Sequence, residues 1–288
     1  MRTSKYAAAY SGRLIRLAGS LLLTCAGALA LSAQSEPVPE ATAPARPTAS
    51  DAASQQLIRN FLTVVGGAEA YGALKNVVAR GTLQEAGVSK TFQLTELQDG
   101  RRHLRLSWRQ LGREYAEQFV FDGQHAWRQE LSPKYQDAVD YSGQEGVHFS
   151  RQRWLLQPFA GHAAAAYVFR YQGQAKVGSR DCHIVVGYGE NNERSWFYFD
   201  QEKFLILRWG GLGQIAGIQE YMDYRAAKFQ RVAGVLLPRA IDLLAENAAF
   251  GQIEFEAILP NQEIGPALFS RPEKRTPLLR RATVTERP

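Results

Sequence analysis

Residues 91–108 decide the fold, and their sequence is TFQLTELQDGRRHLRLSW. Apolar side chains stand at alternate positions on both sides of Asp99-Gly100, a dipeptide typical of tight hairpin turns. A period of two predicts strands with one buried face, and a short turn makes the two strands antiparallel neighbours. These residues therefore predict the centre of an antiparallel sheet.

The same alternation extends in both directions along the chain. The predicted strands cover residues 77–84, 88–97, 103–108, 115–121, 126–127, 167–177, 180–188, 194–200, 204–209, 214–229, 235–244 and 250–259. These twelve segments, of which 126–127 has only two residues, amount to about eleven strands, and a twisted sheet of that size tends to curl or close. We therefore expect a mainly β, α+β domain built on one large curved antiparallel sheet.

One amphipathic helix precedes the strands. Ser50 or Asp51 can cap its N-terminus, and Gly66-Gly67 ends it. Its apolar stripe consists of Leu57, Ile58, Phe61, Leu62 and Val65. A second helical region is predicted at residues 147–166, where Pro158 and Gly161 interrupt it.

The N-terminus has the pattern of a secretory signal peptide. Four basic residues up to Arg16 precede an apolar run, and small residues follow at Ala30 and Ala33, either of which fits cleavage. The run is shorter than the roughly 20 residues that span a bilayer. Lipid attachment at Cys25 is not expected, because Thr24 precedes it where a small apolar residue or serine is usual. We expect an exported, periplasmic protein.

The predicted boundaries follow from composition. They are a signal peptide at 1–33, a Pro/Ala-rich flexible spacer at 34–50, a folded domain at 51–272 and a basic disordered tail at 273–288. Four of the 34 lysines and arginines lie before residue 17, whereas all 28 acidic residues follow residue 33. The mature chain therefore has a net charge of +2, which argues against nucleic acid as a partner.

No pattern of residues predicts catalysis, a cofactor or a metal site. Cys182 and His183 are neighbours on a strand, so their side chains point to opposite faces. The five histidines lack metal-ligand spacing, and Gly210, Gly211 and Gly213 lack the lysine of a phosphate loop. Glu254 and Glu256 fit a solvated strand face. We expect a protein that is not an enzyme.

Several short stretches, in order, make the chain resemble the LolA-like family of periplasmic lipoprotein carriers and outer-membrane lipoprotein-sorting proteins. They are Ala79 to Leu83, Phe119 to Trp127, Val177 to His183, Phe197 to Asp200, Asp223 to Arg225, Gly234 to Pro238, and Asn261, Ile264, Phe269 and Pro272. The likeness covers roughly residues 54 to 272. Gln98-Asp99-Gly100-Arg101 departs from the basic residue and proline that carriers often have before the third strand.

The resemblance implies a half-open β barrel in which the N-terminal amphipathic helix and the central helical segment form a lid over an apolar cavity that takes acyl chains. Residues at alternate positions of successive strands are candidates to line that cavity: Phe92, Leu94, Leu104, Leu106, Trp108, Phe119, Phe121 and Trp127. The stripe of the first helix, Leu57, Ile58, Phe61, Leu62 and Val65, would form the lid. The same residues would equally suit a packed core under the helix.

Two functions follow as hypotheses. The first is a carrier or binder of acyl chains, a lipoprotein or a glycolipid; the second is an envelope scaffold or stress sensor that binds a protein partner. Arg101, Arg102, Arg105, Arg109 and Arg113 either hold an anionic head group at the cavity rim or are ordinary surface charge. We expect a monomer with peripheral or no membrane contact.

Overall fold

The computed structural model describes residues 46–142, 146, 149–151, 153–189, 194–215, 218–245 and 248–274, with the backbone alone for 162, 163, 212–222 and 245. The predicted signal peptide, Cys25, most of the spacer, His148 and the tail beyond residue 274 lie outside the described residues. None of the described helices is long and apolar enough to cross a membrane.

Helices make up a small part of the described chain. Helix α1 covers Ala52–Val65, α2 covers Ala68–Gly72 and α3 covers Gly161–Ala165. Asp51 caps α1, with its carboxylate accepting a hydrogen bond from the Ser54 amide at 2.7 Å. Gly66, at φ 132°, ends it, as the sequence predicts.

Thirteen strands are present in the described residues, compared with about eleven predicted from the sequence. They are β1 (Asn76–Glu85), β2 (Val88–Leu97), β3 (Arg102–Gln110), β4 (Arg113–Phe121), β5 (Ala126–Ser132), β6 (Val139–Asp140), β7 (Val168–Val177), β8 (Arg180–Tyr188), β9 (Arg194–Asp200), β10 (Ile206–Ile215), β11 (Ile218–Val232), β12 (Val235–Ala245) and β13 (Ala248–Pro260). A short 3-10 helix, Pro266–Leu268, follows them.

The strands form one sheet in the order β6-β5-β4-β3-β2-β1-β13-β12-β11-β10-β9-β8-β7. All neighbours are antiparallel, and the two edges do not join. The sheet therefore consists of two meanders, β1–β6 and β7–β13, that meet where β1 pairs with β13. The predicted fold class, a large curved antiparallel sheet not closed into a barrel, is confirmed.

Strands β6 and β7 follow each other along the chain but lie at opposite edges of the sheet. The connection between them must therefore cross from one edge to the other. Residues 147–166 were predicted to be helical in this region. Of the described residues in that range, 149–151 and Gly161–Ala165 are helical, whereas the part from 153 to 160 between them is irregular. Pro158 and Gly161 explain why a longer helix does not form.

The prediction of one strand over residues 214–229 is wrong. Strand β10 runs to Ile215 and β11 starts at Ile218, with Ile215 paired to Ile218. Parts of two strands therefore occupy this region. The alternation alone misses the boundary between them because the chain has no Asn-Gly or Asp-Gly pair there.

Two groups of buried apolar residues hold the domain together. The main core joins α1, α2, the concave side of the sheet and residues from the β6–β7 connection. The smaller cluster lies on the opposite side of the sheet and consists of Leu97, Val120, Trp127, Ala138 and Phe269. The C-terminal segment covers this outer cluster, and Arg271 anchors it to Asp140 with an ion pair of 2.6 Å.

Candidate functional site: the concave face of the sheet

Seven of the eight predicted lining residues share the concave face. The strand register places Phe92 opposite Leu106, Leu94 opposite Leu104, and Leu104 opposite Phe119. Four of them, on β2 and β3, are buried: Phe92, Leu94, Leu104 and Leu106. Trp108, Phe119 and Phe121 are partly buried and pack against the same core. The alternation in the sequence thus identifies one continuous apolar surface.

Trp127 does not belong to this surface, so its predicted place is wrong. The turn between β4 and β5 pairs Phe121 with Ala126, which puts Trp127 opposite Val120. Val120 and Trp127 therefore point to the outer face, where Trp127 packs with Phe269 and donates from Nε1 to its carbonyl at 3.4 Å. The length of the turn sets which side chains share a face, and the alternation within each strand cannot supply it.

The stripe of α1 faces the core as predicted. Leu57, Phe61, Leu62 and Val65 are buried, and Ile58 is partly buried against them. The Phe61 ring meets Phe199 edge-on at 5.9 Å, which places the helix over the β7–β12 half of the sheet. The helix therefore packs beside the predicted lining residues on β2–β4 and does not cover them.

The start of α1 is fixed to edge strand β7. The Asp51 carboxylate accepts from the amides of Ser54 at 2.7 Å and Tyr171 at 2.8 Å, and Ser54 Oγ donates to the Phe169 carbonyl at 2.8 Å. Burial opposes ionisation of Asp51, but these amide donors and nearby Arg170 outweigh it and lower its pKa. The helix is thus held at its N-terminus by a carboxylate that favours the charged form.

Residues 153–160, which we call the plug, fill the concave face between the two halves of the sheet. At one end the Trp154 ring packs edge-on against Phe92 at 5.8 Å and lies 6.4 Å from Phe255. At the other end Phe159 packs against Phe197 at 4.8 Å and Phe61 at 5.5 Å. The first helix and the central helical segment were expected to form the lid. The plug, which belongs to that central segment but is irregular, covers the predicted lining residues.

One buried carboxylate holds the plug. Glu96 is 1% exposed and extends the concave row of Phe92 and Leu94 on β2. Its two oxygens accept hydrogen bonds from three successive amides, those of Trp154 at 3.1 Å, Leu155 at 3.2 Å and Leu156 at 2.6 Å. Hydrogen bonds to a charged group are the stronger kind, so Glu96 fixes an otherwise irregular segment.

Further polar contacts hold the start and the middle of the plug. Tyr71 on α2 accepts from the Gln157 amide at 2.8 Å and donates to its carbonyl at 3.3 Å. The indole of Trp209 donates to the Arg153 carbonyl at 2.7 Å. Burial raises the pKa of the Tyr71 phenol well above its usual range, so it remains a donor at neutral pH.

Arg102 is the second buried charge on the concave face. It is 1% exposed, and its guanidinium lies 4.6 Å from the Trp154 ring and 5.2 Å from the Phe149 ring. Burial lowers its pKa, and the nearby charge of Glu96 opposes that shift. The predicted arginine cluster is thus divided, because Arg105, Arg109 and Arg113 are exposed while Arg102 contacts the plug.

The concave face is closely packed where the plug lies. A cavity of about 20 Å³ is present between α1, the plug and β10–β12, lined by Phe61, Tyr71, Leu155, Gln157, Ile206, Trp209, Phe229, Leu236, Leu237 and Pro238. Such a volume holds a water molecule and is too small for an acyl chain. Elsewhere on the concave face, the Trp154 indole N–H is buried with no hydrogen-bond partner in the described part of the chain.

Cys182 and His183, which the sequence analysis considered for catalysis, lie on strand β8. Cys182 is fully buried, and burial together with Asp200 raises its pKa to about 11, so little thiolate forms at neutral pH. His183 Nδ1 lies 3.4 Å from the hydroxyl of Tyr171. Within the described ranges, no three histidine, cysteine, aspartate or glutamate side chains come together as metal ligands would.

Sequence reasoning missed Glu96 and Trp154, and it placed Arg102 at the cavity rim or on the surface, although all three organise this site. Glu96 and Arg102 stand at inward positions of strands that are otherwise apolar on that side. A charged residue at an inward position was the available signal, because such residues are buried only when paired or hydrogen-bonded. Nothing in the sequence near Trp154 indicates which strand it packs on.

No model of a known protein family matches the chain, and no curated protein sequence matches it either. Among solved structures, a lipoprotein-sorting domain from Vibrio parahaemolyticus has a TM-score of 0.47 at 10% identity, covering 75% of this chain and 96% of its own. A LolA superfamily protein from Nitrosomonas europaea has a TM-score of 0.45 at 10% identity, covering 73% and 97%.

A DUF1329 family protein from Desulfovibrio piger has a TM-score of 0.50 at 12% identity, covering 77% of this chain and 98% of its own. Lipoprotein-sorting and LolA proteins, the groups that the sequence resembles, are thus among the structural neighbours. At such identities a likeness concerns the fold alone, and the half-open antiparallel sheet of this chain is the fold of the DUF1329 family protein.

Proposed function

We propose that this protein binds acyl chains in the cell envelope, on the concave face of its sheet, and that the plug occupies the binding space when no cargo is present. The domain at 51–272 would be the binding unit, and export would bring it to the periplasm. The observation that carries the proposal is the plug itself, an irregular apolar segment that fills an aromatic half-barrel.

The concave face suits an acyl chain once the plug has moved. Phe92, Leu94, Leu104, Leu106 and Phe119 form an unbroken apolar surface behind it. Each methylene group buried there contributes about 0.8 kcal/mol, so a chain of about twelve carbons has enough apolar area to compete with the plug. The wall of the half-barrel can stay in place during this exchange.

The plug is held in a way that permits exchange. Its backbone is fixed by Glu96, Tyr71 and Trp209, and no regular helix or strand forms within it. The unpaired indole N–H of Trp154, in the part of the chain that is described, costs about 1–3 kcal/mol when buried. Exposure of this group to solvent or to a cargo oxygen would offset part of the free energy of opening.

Trp154→Ala tests the proposal directly. The substitution removes the ring that packs on Phe92 and Phe255, and two cargo methylenes in that space contribute about 1.6 kcal/mol. We expect a fluorescent fatty acid to bind the variant about ten-fold more tightly than the wild type, measured by fluorescence titration. Mass spectrometry of the purified wild type should also detect copurified lipid.

Trp127→Ala is the matched control, because it removes the same ring from the outer face. Both variants should lose about 3–5 kcal/mol of stability, but only the inner one should bind the fatty acid more tightly. Absence of copurified lipid, together with no fatty-acid binding by the wild type and Trp154→Ala, would exclude acyl-chain binding. Copurification of one stoichiometric protein without lipid would favour the scaffold hypothesis.

A further inference from the structure

The tip of the β3–β4 hairpin carries the most exposed large apolar side chain among the described residues. Leu111 is 94% exposed, at the first position of a two-residue turn that Gly112 completes. Its φ is +50° and that of Gly112 is +77°. Such turns favour Asn, Asp or Gly, so leucine is both conformationally strained and unpacked at this position.

Two other hairpins in the molecule show that the turn does not require leucine. Ala86-Gly87 joins β1 to β2 at φ +49° and +78°, and Ala233-Gly234 joins β11 to β12 at +48° and +83°. The backbone is nearly the same in all three, and a small residue stands first in the other two. A residue that breaks a local rule without a gain in packing is a candidate for function.

The type of side chain changes along the hairpin with distance from Leu111. Arg109 and Arg113 are exposed on either side of the tip, with Glu114 opposite Arg109. One residue pair further back, Trp108 and Tyr115 are stacked with ring centroids 5.3 Å apart. Apolar, cationic and aromatic side chains of this kind occur together where proteins meet a lipid surface.

We propose that this hairpin tip docks on an anionic lipid surface, with Leu111 among the acyl chains and Arg109 and Arg113 at the phosphates. The arginine charges complement anionic head groups. Trp108 lies on the concave face with Leu104 and Leu106, so docking would bring that end of the half-barrel to the membrane. The proposal does not depend on acyl-chain binding by the concave face.

The test uses flotation with phosphatidylcholine vesicles, with and without phosphatidylglycerol, at low salt. We expect the wild type to bind only the vesicles that contain phosphatidylglycerol. Leu111→Asn should bind them about ten-fold less, because the apolar side chain is lost. Its thermal stability should be unchanged or higher, since asparagine fits a positive φ. Arg109→Gln with Arg113→Gln should weaken binding about ten-fold or more.

Ala86→Asn is the matched control, because it places the same side chain in the same turn of a hairpin without flanking arginines. It should bind vesicles as the wild type does. The basic segment after residue 271 is unchanged in every variant, so binding driven by that segment would be equal in all of them. Equal binding by Leu111→Asn, or no binding by the wild type, would overturn the proposal. Fatty-acid titration should be unaffected by Leu111→Asn, which separates this proposal from the previous one.

Discussion

At the scale of the residue, the concave face depends on a few groups that the apolar pattern around them does not suggest. Glu96 accepts three amide hydrogen bonds in a site that is closed to solvent. A carboxylate is buried without great loss only where donors surround it, and the plug supplies those donors. The Glu96 carboxylate can therefore stay buried at little cost only while the plug is in place.

Glu96→Gln tests this link. The amide keeps the shape of the side chain, but it turns an N–H group toward the amide donors of the plug. It also leaves Arg102 without the neighbouring charge. We therefore expect a loss of about 2–4 kcal/mol in the free energy of unfolding. Urea denaturation measures it. Glu256→Gln, on an exposed position of β13, should change stability by less than about 0.5 kcal/mol. Similar values for both variants would show that Glu96 does not fix the plug.

At the scale of the element, helix α1 was the best predicted part of the structure. Its stripe, its cap and its final glycine follow from local rules that act within a few residues. Its attachment to β7 does not, because the Phe169 and Tyr171 groups that bond to its N-terminus lie more than a hundred residues away in the sequence. Local chemistry predicts where a helix starts, and tertiary contacts decide which strand it meets.

Asp51→Ala removes both the cap and the link to β7, and we expect a loss of about 1–2 kcal/mol at neutral pH. Because the pKa of Asp51 is lowered in the folded protein, its contribution is complete above the unfolded value near about 4 and is lost as pH falls through the lowered value. The difference between wild type and variant in urea denaturation should therefore shrink with acidification. A difference that does not change between about pH 7 and pH 2 would contradict this account.

At the scale of the whole molecule, the sequence predicted the hairpins but not how the two meanders join. Neighbouring strands with short turns pair with little loss of entropy, so alternation and turn residues suffice to predict them. Strands β1 and β13 pair across most of the chain, and their register includes an irregularity at Arg80 and Gly81. Pairing over such a distance leaves no local pattern, and the same holds for the position of the plug.

Gly81→Ala tests the junction of the two meanders. A Cβ at Gly81 would lie 1.9 Å from the Glu254 carbonyl oxygen, so the strands would have to separate, and we expect a loss of about 1–3 kcal/mol or more. Gly72→Ala, at the end of α2, meets no atom within 4 Å and should be neutral or slightly stabilising. Thermal unfolding compares the two. An equally small effect for both would mean that β1 and β13 approach less closely than the structure indicates.

The placement of β6 and β7 at opposite margins of the sheet separates the wall of the half-barrel from its contents. Every strand of the wall is stabilised by its neighbours, whereas the interior is filled largely by the β6–β7 connection and helix α1. Insertions, deletions or substitutions in that stretch can change the size and polarity of the interior while every ladder of main-chain hydrogen bonds stays intact. Proteins that share this wall can therefore differ widely in what they hold.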